Sequence, residues 1–402
     1  MPMLWTIIVV LIVIILIIIA ALVDLITGFK KDVGKYSAPK PAPSQTTVTL
    51  FSDGHRFIDA LKRDMSQAKQ HIHLAFFIFR YDQIGQELVD TLLSYARKGV
   101  KIRLLLDYLG SRGFPKKIQN KLSEAGIELG FTAKPTFPFT VYSLNRRNHH
   151  KTVVIDGKIG YFGGFNIGDE YLGIKSDMGD WRDYHLRLEG EGVKELQKQF
   201  LYNWQITRQQ ALDGDEFFPA LPQGKSNMSF VPTAGKGLEA LFIEHLSKAK
   251  KRLFIGTPYF IPTKRMQNVL IGLLKRNVEV TLLLPLKRDH PFVRPASFHF
   301  LGQLLNCGAK VYHFYQGFYH AKVFIVDDSS CYLGTANFDQ RSFFWNDEMN
   351  AFIYDQELIA EVEKMTIEDL RRSTPFTIDD LKKRSAYEKL KTTLSLPMSP
   401  LL

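Results

Sequence analysis

Cysteine is nearly missing from the chain, with Cys307 and Cys331 the two among 402 residues. Neither lies in a CxxC pair, which excludes a disulfide framework and a thiolate metal site. Charge is missing altogether from residues 4–23, LWTIIVVLIVIILIIIAALV. At ~1.5 Å per residue a helix of that length crosses a ~30 Å hydrocarbon layer. No Lys or Arg precedes the run, and it is longer than the core of a secretion signal, so it reads as an uncleaved, single-pass membrane anchor. A buried core helix is the weaker reading for so continuous an Ile/Val/Leu run. Lys30, Lys31, Lys35 and Lys40 follow it. The positive-inside rule then puts that flank, with everything after it, on the cytoplasmic side of a cell membrane.

The chain as a whole has the 45% hydrophobic content of a folded protein and length for two or three domains. A net charge of +11 favours an anionic partner, without choosing among nucleic acid, a phosphate ester and an acidic membrane surface. Tyr36–Thr46, with three prolines and few apolar residues, reads as a spacer that holds neither helix nor central strand.

From there the sequence repeats itself. Helical patterns over 57–68 and 238–249 lead to apolar strands over 71–79 and 253–261. Helices ending near Gly99 and Asn277 come next, then strands over 100–106 and 278–284, then helices over 116–124 and 295–305. Short apolar runs alternating with helices indicate an α/β fold with much parallel pairing. The repeat gives domains at 47–220 and 221–380, between an anchor (1–27) and spacer (28–46) on one side and a tail (381–402) on the other. Residues 131–148, rich in Phe, Pro and Tyr, have no counterpart of that length; they touch substrate or form a packed surface loop.

Each half closes on the same pattern, His149/Lys151/Asp156 and His320/Lys322/Asp327, 171 residues apart, as are Asn166 and Asn337. His-x-Lys-x4-Asp arises by chance at roughly one position in 10⁴, so two copies in register are not an accident. His and Lys two apart on a strand project from one face. The small residues Gly163-Gly164 and Gly334-Thr335 suggest close backbone approach to a ligand. Phosphodiester transfer needs a nucleophile, positive charge on the non-bridging oxygens and an acid for the leaving alcohol. Two His, two Lys and two Asn supply all three with no metal or other cofactor. The nucleophilic imidazole needs a carboxylate on its other nitrogen, and Asp183 in WRDYH and Glu348 in WNDE are the candidates.

HHKTVVIDG with GGFNIGDEY, and HAKVFIVD with GTANFDQRSFFWNDE, resemble the paired signatures of the phospholipase D superfamily. TPYFIP, GGFNIGDEY, WRDYHLRLEG and GTANFDQRS are similar to bacterial cardiolipin synthases, over about residues 50–370. The resemblance implies two pseudo-symmetric domains sharing one active site. It also implies conversion of two phosphatidylglycerol molecules to cardiolipin and glycerol through a phosphatidyl-histidine. His149 is then the nucleophile and His320 the acid/base, or the reverse. Lys151, Lys322, Asn166 and Asn337 bind phosphate, and Asp156 and Asp327 support the motif scaffold. The family commonly has two membrane spans and this chain shows one, as in its shorter members.

His150 lacks the Lys and Asp spacing and faces the other side of its strand. His71 and His73 read as packed strand histidines. Arg146 and Arg147, next to the motif, hold a second anionic headgroup or form a solvated loop, and their position favours the former. The aromatic run 314–320 lines an acyl groove or packs in the core. Lys382–Arg384 reads as a solvated basic face, and SLPMSPLL carries no signal. The competing functions are a hydrolase of the same superfamily, a nuclease and an inactive membrane scaffold. Intact motifs argue against the scaffold, and a membrane span argues against nucleic acid as partner.

Overall fold

The computed structural model describes residues 2–33, 41–174 and 177–402. Fifteen strands form one continuous mixed sheet. In the first half, His71–Phe76, Lys101–Asp107 and Glu128–Thr132 run parallel to one another. In the second, Arg252–Gly256, Glu279–Pro285 and Lys310–Phe314 do the same. These apolar strands are buried under helices that connect them, as parallel strands require. Inward of each parallel set lie antiparallel strands carrying the motifs, Lys151–Ile155 with Ile159–Gly163, and Val323–Val326 with Ser330–Gly334. The strand order of one half mirrors that of the other across the pair at the centre, Ala42–Phe51 with Ser226–Ala234.

That central pair corrects the spacer reading, because residues 42–46 are strand and Ala42–Thr46 align with Ser226–Phe230. Pro43 is tolerated because its missing N–H lies on the side without a strand partner. Two residues on, the Gln45 N–H points to that same side and is met by a carboxylate oxygen of Glu191 at 2.8 Å. The proline thus costs no ladder bond. Residues 36–40 of the same stretch lie outside the described residues.

Separate apolar cores fill the outer parts of each half, around Phe57, Leu88 and Leu104 and around Phe242, Leu270 and Leu282. A third core joins the halves through Phe162, Leu186, Phe230, Met349 and Tyr319. Phe314, Phe318 and Tyr319 of the aromatic run are fully buried and belong to the core, whereas Tyr315 is exposed.

Pro2–Val33 is one helix, and Met3–Lys31 is long and apolar enough to cross a membrane, with no part of its most apolar window buried. Its last turns dock on residues 131–148, where the short helix Thr140–Asn145 forms. Asp24 accepts from the Tyr142 N–H at 2.8 Å, and Phe29 lies 5.5 Å from the Trp345 ring. A Cβ on Gly28 would meet Tyr142 at 2.6 Å, so this glycine sets how closely the helix seats. The segment 131–148 is thus packed against the anchor. At the other end, Ala386–Ser395 packs on Val293–Asn306, Arg384 stacks on Phe298 at 4.2 Å, and Pro400 accepts from the Trp345 indole at 2.7 Å. Arg384 therefore belongs to a packed face, which corrects the solvated reading for that residue, and SLPMSPLL is docked despite its plain sequence.

Candidate active site

Both motifs begin where a strand of one half is met by a strand of the other. The His149 N–H donates to the Asp347 carbonyl at 2.9 Å, and the His320 N–H to the Arg182 carbonyl at 2.7 Å. Each histidine is therefore fixed by backbone from the opposite half. The next residue along each opposing strand is an acid. Glu348 places Oε2 at 2.9 Å from His149 Nδ1, and Asp183 places Oδ2 at 2.5 Å from His320 Nδ1. Both carboxylates are fully buried. A carboxylate accepts only, so this contact calls for a hydrogen on Nδ1 and leaves Nε2 for chemistry.

Burial pushes His149 down to about 4, partly opposed by Glu348 and reinforced by Lys151. Burial and then Lys322 push His320 down to about 3, opposed by Asp183. Both imidazoles are neutral at pH 7 in the free protein. Burial acts to raise Glu348, but His149 and Lys151 hold it below the usual carboxylate range. Asp183 is held low in the same way by Lys322 and His320. The lysines are buried too, and burial lowers both, Lys322 to about 8 and Lys151 well below its usual value. Lys151 Nζ donates to the His149 carbonyl at 2.8 Å and sits 5.4 Å over the Phe77 ring. Lys322 Nζ lies 2.7 Å from His320 Nδ1 and also donates to the His320 carbonyl.

Asp156 and Asp327 stand away from this chemistry. Asp156 accepts from three successive N–H groups, Lys69, Gln70 and His71, at 2.7–2.8 Å. Asp327 accepts from Lys250, Lys251 and Arg252 at 2.9 Å each. Both have positive φ, 52° and 50°, a strained backbone for a residue with a side chain, held here by those bonds. The Asn166 carbonyl oxygen accepts from the Ile78 N–H at 3.1 Å, and Asn337 donates to Asp339 at 3.1 Å. Each asparagine thus has one side-chain atom tied to a neighbour.

The small residues after each motif strand make room for protein: a Cβ on Gly164 would stand 1.9 Å from an Asp183 oxygen, and one on Gly334 2.4 Å from the Tyr332 hydroxyl. One expectation is corrected, because Arg146 and Arg147 are not poised for an anion. Arg146 pairs with Asp347 at 2.5 Å, and Arg147 with Asp107 at 3.1 Å while donating to the Ala133 and Ser143 carbonyls. They lock residues 131–148 to the body.

His150 points away from the site, its Nδ1 3.0 Å from the Asn203 amide, and His73 stacks on Phe200 at 4.4 Å. Residues not singled out by sequence are Asn346, which donates to Glu348 at 3.1 Å, and Trp181, whose ring lies 4.9 Å from His320; Thr335, read from the sequence only as a small residue, donates to Glu348 at 2.5 Å. Asn346 stands two residues before Glu348 in WNDE and Trp181 two before Asp183 in WRDYH, but nothing in those strings tells which neighbour orients an acid.

The family described as cardiolipin synthase, PLD-like domain, matches residues 61–204 and 242–370. The chain is 38% identical over 369 residues to the minor cardiolipin synthase ClsB of Bacillus subtilis, covering 92% of each. It is 40% identical over 366 residues to the major cardiolipin synthase ClsA of the same organism, covering 89% of this chain and 75% of that one. Among solved structures, the phosphatidylserine synthase of Haemophilus influenzae Rd KW20 matches with TM-score 0.69 at 15% identity, over 94% of this chain and 99% of that one, a likeness of fold. The repeated motifs, the mirrored halves and these matches agree, and the chain belongs to the cardiolipin synthase family of PLD-like proteins.

Proposed function

We propose that the protein is a membrane-anchored cardiolipin synthase that transfers a phosphatidyl group from one phosphatidylglycerol to another. The observation that carries this reading is the pair of neutral imidazoles, each held at Nδ1 by a buried carboxylate and each beside a buried lysine. His149 Nε2 attacks phosphorus while the departing glycerol oxygen takes a proton from His320, which the bound phosphodiester anion keeps protonated. The glycerol leaves, and a phosphatidyl-histidine remains. A hydroxyl of the second phosphatidylglycerol then loses its proton to His320 and attacks the same phosphorus, so that His149 departs as a neutral imidazole.

Lys151 and Lys322 neutralise the phosphoryl oxygens, helped by the amides of Asn166 and Asn337, and Asp156 and Asp327 hold the motif turns. Glu348 compensates the positive charge that His149 acquires in the intermediate. Its two contacts to Nδ1 and its own support from Thr335 and Asn346 favour His149 as nucleophile. The lysines after the apolar helix support a catalytic body on the cytoplasmic side of the membrane.

The test is to incubate full-length protein with labelled phosphatidylglycerol in mixed micelles containing chelator and to separate the lipids by mass. Cardiolipin plus free glycerol is expected. Phosphatidic acid alone would make water the acceptor and the protein a hydrolase, and no product would remove the reading.

A further inference from the structure

A cavity of about 380 Å³ opens where the anchor helix meets residues 131–148 and the helix Gly192–Arg208. It is distinct from the catalytic cleft but shares a wall with it. Asn148 and Asp347, which form an isolated bridge between the halves, line the cavity. Their chain neighbours His149 and Glu348 make the catalytic pair on the other face. His150, facing away from the cleft, is held by Asn203, a further lining residue. Side chains alternate along an extended chain, so one backbone segment separates the two spaces.

The lining has two chemistries. Lys31 and Lys134 are exposed cations at its edge, Lys31 lying 5.0 Å over the Phe139 ring, while Phe139 and Ile206 give it apolar surface. Its volume is that of a small-molecule site. One side is the end of a helix whose preceding residues 7–20 are apolar and exposed, so acyl chains lying along that helix would lead their headgroup here. A water-soluble anion would use the lysines but none of the apolar surface.

We propose that this cavity binds one anionic phospholipid, its phosphate between Lys31 and Lys134 and its chains directed back along the anchor, separately from the lipid that reacts. The site is tested on full-length protein carrying His149→Ala, so that bound lipid is not turned over. Phosphatidylglycerol or phosphatidylcholine is added in non-ionic detergent, and retained lipids per chain are counted by native mass spectrometry.

Lys31→Glu with Lys134→Glu is expected to remove one phosphatidylglycerol per chain, with at least a tenfold rise in the concentration for half-occupancy. Thr136→Trp, which fills the cavity from an exposed position without changing charge, is expected to do the same at an unchanged melting temperature. Lys322→Ala is expected to leave this lipid in place, which separates the site from the catalytic reading. Unchanged counts in the cavity variants overturn the proposal. So does loss in the charge variant alone, which marks surface adhesion, and so does equal retention of phosphatidylcholine.

Discussion

Glu348 reaches His149 from the second half and Asp183 reaches His320 from the first, yet the two clamps are built differently. Beside Glu348 stands Thr335, whose hydroxyl donates to it at 2.5 Å. The equivalent position in the first half is Gly164, where a side chain would collide with Asp183. Lys151 touches the His149 carbonyl and leaves its imidazole alone, whereas Lys322 crowds the His320 ring. The repeat conserves which groups meet and varies their neighbours, so two identical His-x-Lys strings become two unlike environments. A nucleophile and an acid/base need that difference, because one must carry phosphorus and the other a proton.

The largest effect comes from the histidines themselves. His149→Ala and His320→Ala should each lower transfer by at least ~10³-fold. A phosphodiester with a good leaving group needs no acid, so on such a substrate His320→Ala should still accumulate phosphoenzyme, trapped under an alkaline quench that preserves the P–N bond, and His149→Ala should not. Labelling in the opposite order would exchange the two roles. Next come the acids, where Asp183→Asn and Glu348→Gln should lower kcat by roughly 10²-fold. The Asp183 change should be the worse, because it also removes the carboxylate 3.8 Å from Lys322; equal losses in steady-state kinetics would erase the asymmetry.

A smaller effect separates the scaffold aspartates. Asp156→Ala should cost about 3 kcal/mol by urea unfolding and Asp327→Ala about 2, since each loses three charge-assisted bonds and Asp156 is the more buried. The least is the response to acid. Burial first of all pushes His149 and His150 to about 4 and His185 to about 3 in the first half, and also lowers His71 and His73 there. In the second, His245, His313 and His320 are lowered to about 4, 4 and 3, and burial also lowers His290, four groups against five. Unfolded imidazoles take up protons from pH 6.5 downward while these do not, so the unfolded chain binds more protons and stability falls between pH 6.5 and about 4. Amide exchange at pH 5 should show the histidine-richer first half opening first, and uniform protection would refute this.

What the sequence carries is local or repeated. The helix Lys116–Glu124 is where its pattern places it, and the two motifs are recognisable because His, Lys and Asp lie within eight residues. Glu348 and Asp183 are nameable as candidates because acids in aromatic-rich strings are unusual, but their crossing to the opposite histidine joins residues 199 and 137 positions apart. No local pattern encodes that. Arg146 and Arg147 look like anion binders until Asp347 and Asp107 arrive from distant strands to neutralise them. The strand at Ala42 is hidden by Pro43, whose tolerance depends on which side of the chain lacks a partner. In each case the deciding contact is set by sheet order, which composition and periodicity do not report.

The crossed carboxylates also bear on inheritance. Once a duplicated unit has exchanged acids in this way, neither copy is an enzyme by itself, and a change to the acid in one copy is felt as a defect of the other copy's histidine. Selection then acts on the pair, so the copies can drift into unlike partners, a glycine in one and a threonine in the other, without either being able to leave.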